Sequence, residues 1–144
     1  MKIPSLLCLV EKYTKRGYAG KVVEKLRQHG LVEYMYGSYW ATISSPILIE
    51  ISGLLPKCVL NNRQNKSPSV GDFIAVAKKY RQSNLYFAVR IKSLDIGNVE
   101  DFVIEAVYIP LEEKELIEWA KTFWPDSIGL TNYKGQNFVY CWWD

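Results

Sequence analysis

Apolar residues recur every three to four positions near the start of the chain. Over residues 5–16, Leu6, Leu9, Val10 and Tyr13 fall on one helical face. Ser5 stands where a helix cap belongs and Gly17 where the helix should stop. Residues 19–29 repeat the pattern, with Ala19, Val22, Val23 and Leu26 on one side and Lys21, Lys25 and Gln28 on the other. Gly30 occupies the position just past the second helix, where glycine tolerates a left-handed backbone. From there the period drops to two. LVEYMYGSYWATI predicts a hairpin turning at Gly37-Ser38, with Val32, Tyr34, Tyr36, Tyr39, Ala41 and Ile43 on one face. Glu33, Met35, Trp40 and Thr42 take the other face. Pro46 then precedes a short apolar run, Ile47–Ile51, expected as a strand.

The polar segment NNRQNKSPS, residues 61–69, interrupts the pattern and marks an internal boundary. It divides the chain into a helix–helix–hairpin unit (1–60), the loop itself (61–69) and an antiparallel β unit with a helix (70–144). In the last unit, VGDFIAVAKKY and LYFAVRIKSL read as two strands joined through Arg81–Asn84, followed by a third strand at about 100–109. On the second of these, alternation puts Tyr86, Ala88, Arg90 and Lys92 on one face and Phe87, Val89 and Ile91 on the other. Pro110 and the acidic residues Glu112, Glu113 and Glu115 are expected to open a helix over 111–124, since the helix dipole favours negative charge at its start. Leu116, Ile117, Ala120, Phe123 and Trp124 would form its apolar side, and Pro125 would end it. The tail NFVYCWWD reads as a final strand. The expected fold class is α+β: a winged-helix-like helical N-terminal unit packed on an antiparallel sheet or partial β-barrel, with one C-terminal helix.

Composition adds two things. With 144 residues, 49% of them hydrophobic, the chain can bury a core without metal or disulfide support. Aromatic content is high at 14%, with ten Tyr, five Trp and five Phe, so some rings are candidates for a binding surface. Net charge is only +3, but its distribution is uneven. Residues 1–30 carry seven Lys/Arg against two Glu, and residues 57–92 carry eight against one Asp. Residues 93–144 carry three Lys against ten Asp/Glu. A basic first two-thirds suits a polyanion, while the acidic end must face elsewhere.

The run VVEKLRQHGLVEYMYGSYWATI, within residues 5–44, resembles a winged-helix DNA-binding unit. The resemblance implies that the helix before the hairpin reads nucleic acid. Lys21, Lys25 and Gln28 are the side chains on its polar face, with Lys12, Lys15 and Arg16 adding phosphate contacts. Val70-Gly71-Asp72 and the strands expected after it, over residues 70–110, are similar to the RNA-binding barrels of the pseudouridine-synthase-and-archaeosine-transglycosylase (PUA-like) type. Lys78, Lys79 and Arg81 would then cluster at a hairpin turn, and Tyr86, Arg90 and Lys92 would present a ring and two cations on one strand face. The expected function is that of a non-enzymatic nucleic-acid-binding accessory or regulatory protein, acting on DNA or RNA. The competing class is a protein-interaction subunit that uses exposed aromatics and the acidic 111–124 helix.

Signals for catalysis are sparse. The single histidine, His29, sits at a helix end, and neither a phosphate-binding glycine loop nor a zinc-protease motif occurs. Glu112-Glu113-Lys114 spells the E-x-K of metal-dependent nucleases, which place it on a strand, whereas here it falls at an expected helix start. No catalytic residue, metal site or cofactor is expected. Cys8, Cys58 and Cys141 are widely spaced and odd in number, and are expected to be free and mostly buried, as in a reducing cytoplasmic setting. Glu11 and Lys12 interrupt the N-terminal apolar run before a signal-peptide core forms, and the longest uncharged stretch, Tyr34–Ile49, is too short and too polar to span a bilayer. The pattern does not specify an oligomeric state.

Overall fold

The computed structural model describes residues 6–144, except for the side chains of Leu7 and Lys12. Ser5 therefore lies outside the described residues. Five α-helices and six strands follow in the order α1 (Leu6–Thr14), α2 (Tyr18–Gln28), β1 (Glu33–Met35), β2 (Ser38–Ser44), α3 (Ser45–Ser52), α4 (Val70–Lys79), β3 (Tyr86–Lys92), β4 (Asp101–Pro110), α5 (Lys114–Lys121), β5 (Ser127–Tyr133) and β6 (Gln136–Trp142). A 3-10 helix, Lys57–Asn61, lies between α3 and α4. The strands form one antiparallel sheet ordered β1-β2-β3-β4-β6-β5. The α+β class is as expected. The sheet itself passes across the 61–69 loop, because β2 pairs with β3 along its whole length. β2 is thus an interior strand of a larger sheet, and two helices precede the hairpin among the described residues, so the winged-helix arrangement is not confirmed.

All the covering helices lie on one face of the sheet. Tyr18, Ala19, Val22, Val23 and Leu26 of α2 share a core with Leu48 and Ile51 of α3 and Phe73, Ile74 and Ala77 of α4. The sheet contributes Ile43, Phe87, Val89, Ile91, Phe102, Ile104 and Val107 to the same core. The opposite face carries no helix among the described residues, and the sheet curls toward it. Tyr133 on β5 and Tyr86 on β3 are three strands apart, about 14 Å in a flat sheet, yet their ring centroids are 4.9 Å apart. Asn84 Nδ2 also donates to Gln136 Oε1 at 2.6 Å, tying the β5–β6 hairpin tip to the start of β3. The result is a half-barrel with helices on its convex side and a concave face that is half-exposed at Thr42, Tyr86 and Ala88 but buried at Val103, Glu105, Ala106 and Phe138.

Several expectations are corrected. VGDFIAVAKK is the helix α4, not a strand. Ser69 Oγ accepts from the Asp72 N–H while Asp72 accepts from the Ser69 N–H, each at 3.0 Å, a reciprocal cap that starts a helix. Val70, Phe73, Ile74 and Ala77 then recur at helical spacing and are all buried. Gly71 serves packing: a Cβ there would stand 3.2 Å from the Leu60 carbonyl oxygen of the 3-10 helix. Lys78 and Lys79 consequently end a helix, where cations suit the dipole, and no hairpin turn exists at Arg81–Asn84.

The run Ile47–Ile51 lies in α3, with Pro46 in its first turn and Leu48 and Ile51 in the core. The hairpin turns at Tyr36-Gly37, one residue earlier than expected, with φ of 51° and 76°. That shift moves the pairing by two positions, so every other face assignment survives, but Tyr36 leaves the sheet and is 96% exposed. The acidic helix is shorter than 111–124: Pro110 ends β4, and α5 runs Lys114–Lys121. Leu116, Ile117 and Ala120 are buried as expected, whereas Trp124 is 76% exposed. Strand β5 was not anticipated. The α1 stripe is exposed instead of buried, with Leu6 at 78% and Tyr13 at 80%. The opposite side of α1 is the anchored one: Cys8 is joined to Cys58 in the 3-10 helix, with their Cα atoms 5.5 Å apart. Only Cys141 is a free, buried thiol. No helix among the described residues is long and apolar enough to cross a membrane.

Candidate functional site

The concave face is organised in rows running across the strands. Register aligns Thr42 of β2 with Ala88 of β3 and Ala106 of β4. These three small side chains make a floor, half-exposed at Thr42 and Ala88 and fully buried at Ala106. On one side of it, the next row reads Ser44, Tyr86, Tyr108 and Tyr140. On the other side, Trp40 stands opposite Arg90 and Arg90 opposite Val103. The floor row ends at Trp142, the β6 partner of Ala106. Small residues between two rows of large ones make a furrow, and the curl of the sheet closes one end of it: a cavity of about 370 Å³ lies between Trp40 and Tyr133, bordered by Thr42 and Ala88, with Glu33 and Met35 also lining it.

Each wall is held in place. The Trp40 indole N–H donates to the Met35 carbonyl at 3.0 Å, fixing the ring across the β1–β2 hairpin. The Arg90 guanidinium lies 5.9 Å from the Trp40 ring centroid. Arg90 is itself anchored by Glu105 at 3.1 Å and Gln64 Oε1 at 3.2 Å. Glu105 is the extra residue of a β-bulge between the Ala88–Ala106 and Val89–Ile104 pairs, which turns its side chain toward the concave face. It is 5% exposed, and burial raises its carboxyl pKa despite the opposing pull of Arg90. At the other wall, Tyr133 meets Tyr86, Tyr108 and Phe138 edge to face, and the Lys134 ammonium stands over both Tyr86 and Tyr133, 5.3 and 5.4 Å from their centroids. Burial, and then the neighbouring Tyr108 and Glu105, push the Tyr140 hydroxyl up to about 12. Burial likewise raises Tyr108. Both hydroxyls are therefore neutral donors at physiological pH.

The residues singled out from sequence divide between the two sides of the sheet. Tyr86, Arg90 and Lys92 share the concave face as expected, with Phe87, Val89 and Ile91 in the core. Lys21, Lys25 and Gln28 project from α2 on the convex side, away from the core. Lys25 is paired with Glu50 at 3.1 Å, and that carboxylate also meets His29 Nε2 at 3.3 Å. Lys15 is paired with Glu11 at 3.6 Å and donates to the Leu55 carbonyl at 3.3 Å. Arg16 is exposed beside a separate cavity of about 270 Å³ that Tyr13, Tyr18 and Val99 also border. Lys78, Lys79 and Arg81 are exposed at and beyond the end of α4. The Lys12 side chain lies outside the described residues. The structure thus separates Tyr86, Arg90 and Lys92 from the α2 cations.

Sequence reasoning missed Tyr108, Tyr133, Tyr140 and the small floor. Tyr86-Ala88-Arg90 was legible as large–small–large on β3. Its continuation on β4 was hidden because the bulge at Glu105 breaks the period-two alternation. Among the described residues no cluster of three or more His, Cys, Asp or Glu is placed to hold a metal ion. The chain matches no family model, no curated protein and no solved structure.

Proposed function

We propose that the protein is a non-enzymatic nucleic-acid-binding protein that takes unpaired bases into the concave furrow. The observation that carries this reading is the in-register small row Thr42–Ala88–Ala106, bounded by Trp40 on one side and by tyrosines on the other. Flat rings stack on aromatic side chains whatever the base, and each such contact is worth about 1–3 kcal/mol. Lys134 stands at the Tyr86 end of β3 and Lys92 at the other end, so a cation lies beyond each wall of the furrow, where phosphates of a bound strand could be met. A duplex offers no free base faces, which makes a single strand the matching ligand. Trp40→Ala should weaken binding of a mixed-sequence single-stranded 12-mer at least fivefold in an intrinsic-fluorescence titration. Equal affinity of wild type and variant would remove the furrow from the interface.

A second reading, a protein-interaction subunit, is favoured by one observation: Trp124, just beyond α5, is 76% exposed, and Glu115 and Glu118 of that helix are exposed as well. A cytoplasmic location rested on three unpaired cysteines, and the Cys8–Cys58 bridge removes that ground.

A further inference from the structure

Strand β5 is one edge of the sheet, and its sequence, SIGLTNY, contains no charged residue and no proline. Sheet edges present unpaired N–H and C=O groups, and proteins that keep such edges unpaired place lysine, proline or a bulge on them. β5 has none of these, and its outer apolar side chains are open, with Leu130 at 77% and Ile128 at 48% exposed. The opposite edge, β1, is only three residues long.

The strand is bracketed by two opposite charges, Asp126 before it and Lys134 after it. Neither has an ion-pair partner within 4.0 Å among the described residues. Asp126 Oδ2 accepts from the Asp144 N–H at 2.7 Å, and the Lys134 ammonium rests over the Tyr86 and Tyr133 rings. Antiparallel pairing of β5 with a second copy about a two-fold at Leu130 sets Leu130 opposite Leu130, Ile128 opposite Asn132 and Gly129 opposite Thr131. Lys134 follows the strand in the β5–β6 turn at φ 52°, and the same register brings Asp126 of each copy beside that turn of the other, where the long Lys134 side chain can swing to meet it, once at each end. A shift by two residues in either direction loses both pairs. We propose that β5 is the interface of a symmetric dimer of this chain, held in this register by the reciprocal Asp126–Lys134 pairs. The two-fold runs perpendicular to the sheet, so one continuous sheet forms with both concave faces on the same side. The proposal does not rest on what those faces bind, although it shares Lys134 with the proposed furrow.

The test is sedimentation velocity on the full-length chain over a concentration series, with circular dichroism confirming that each variant is folded. Wild type should dimerise. Asp126→Lys and Lys134→Asp each place like charges opposite one another at both ends and should weaken the dimer more than tenfold. The double variant D126K/K134D restores opposite charges and should return to within about threefold of wild type. Leu130→Asp, at an exposed site, sets two carboxylates face to face and should give a monomer. A monomeric wild type at high concentration, single variants that dimerise as wild type does, or a double variant that fails to recover would each overturn the proposal.

Discussion

The Arg90 guanidinium lies 3.1 Å from the Glu105 carboxylate, and Glu105 stands at the one bulge in the central strand pair. Two effects oppose each other at this carboxyl. Burial disfavours its charge and Arg90 favours it, and burial wins, so the pKa is raised. Between the unfolded and folded pKa values the folded chain holds more protons than the unfolded one, so stability falls as pH rises. Wild-type stability, measured relative to Glu105→Gln, should therefore decline as pH rises from about 4 through the raised Glu105 value and then level off. Glu105→Ala at pH 7 should cost about 2–3 kcal/mol, because Arg90 loses its carboxylate but keeps Gln64 and some water. Urea unfolding across pH would check both, and a rising difference would contradict the assignment.

Helix α4 begins at a reciprocal cap between Ser69 and Asp72. Ser69→Ala removes the acceptor for the Asp72 N–H and should destabilise the protein by about 1 kcal/mol in denaturant unfolding. Ser69→Thr should be nearly neutral. If 70–79 were a strand, no such difference between the two variants would appear.

The cysteines give a chemical test of the N-terminal arrangement. Unfolded without reductant, the chain should titrate one thiol, from Cys141. Folded, it should titrate none, since Cys141 is fully buried and its thiol pKa is pushed up to about 11 by that burial. Reduction should lower stability by about 4 kcal/mol on a loop-entropy basis, given the 50-residue separation of Cys8 and Cys58. Three thiols in the unreduced, unfolded protein would contradict the bridge.

The α2 helix was legible because its apolar stripe, its last-turn cations and Gly30 all agree. Gly30 N–H donates to the Arg27 carbonyl and Leu31 N–H to that of Leu26, closing the helix at a φ of 70°. The faces of β2 and β3 were legible for the same reason: alternation, burial and pairing coincide. The segments misread as strands were Ile47–Ile51, with three isoleucines in five residues, and 70–80, with Val70, Ile74 and Val76 beside two aromatic residues. In each, a cap or an N-terminal proline outweighed intrinsic preference, and packing of α3 and α4 against each other and the sheet did the rest. The α1 stripe was misread in the other direction, since helical periodicity does not say whether a partner face exists within the chain. The concave site was half visible. Tyr86 and Arg90 follow from alternation on one strand, but the furrow arises from three strands in register and from a curl that no single segment encodes.

Two surfaces compete for the ligand: the concave furrow and the α2 cations. Filling the floor with Ala88→Phe obstructs the furrow without touching any charge, while Lys21→Ala with Lys25→Ala strips the convex helix without touching the furrow. The deciding measurement is a fluorescence-anisotropy titration of a labelled single-stranded 12-mer with wild type, the Ala88→Phe variant and the double Lys variant, at several salt concentrations. The furrow predicts a loss of more than tenfold for Ala88→Phe at unchanged thermal stability, and a double Lys variant within twofold of wild type. The salt slope should be about −1.4, as for two phosphate contacts on a single strand. Wild-type affinity for Ala88→Phe, together with a large loss and a flatter slope for the double Lys variant, would contradict it.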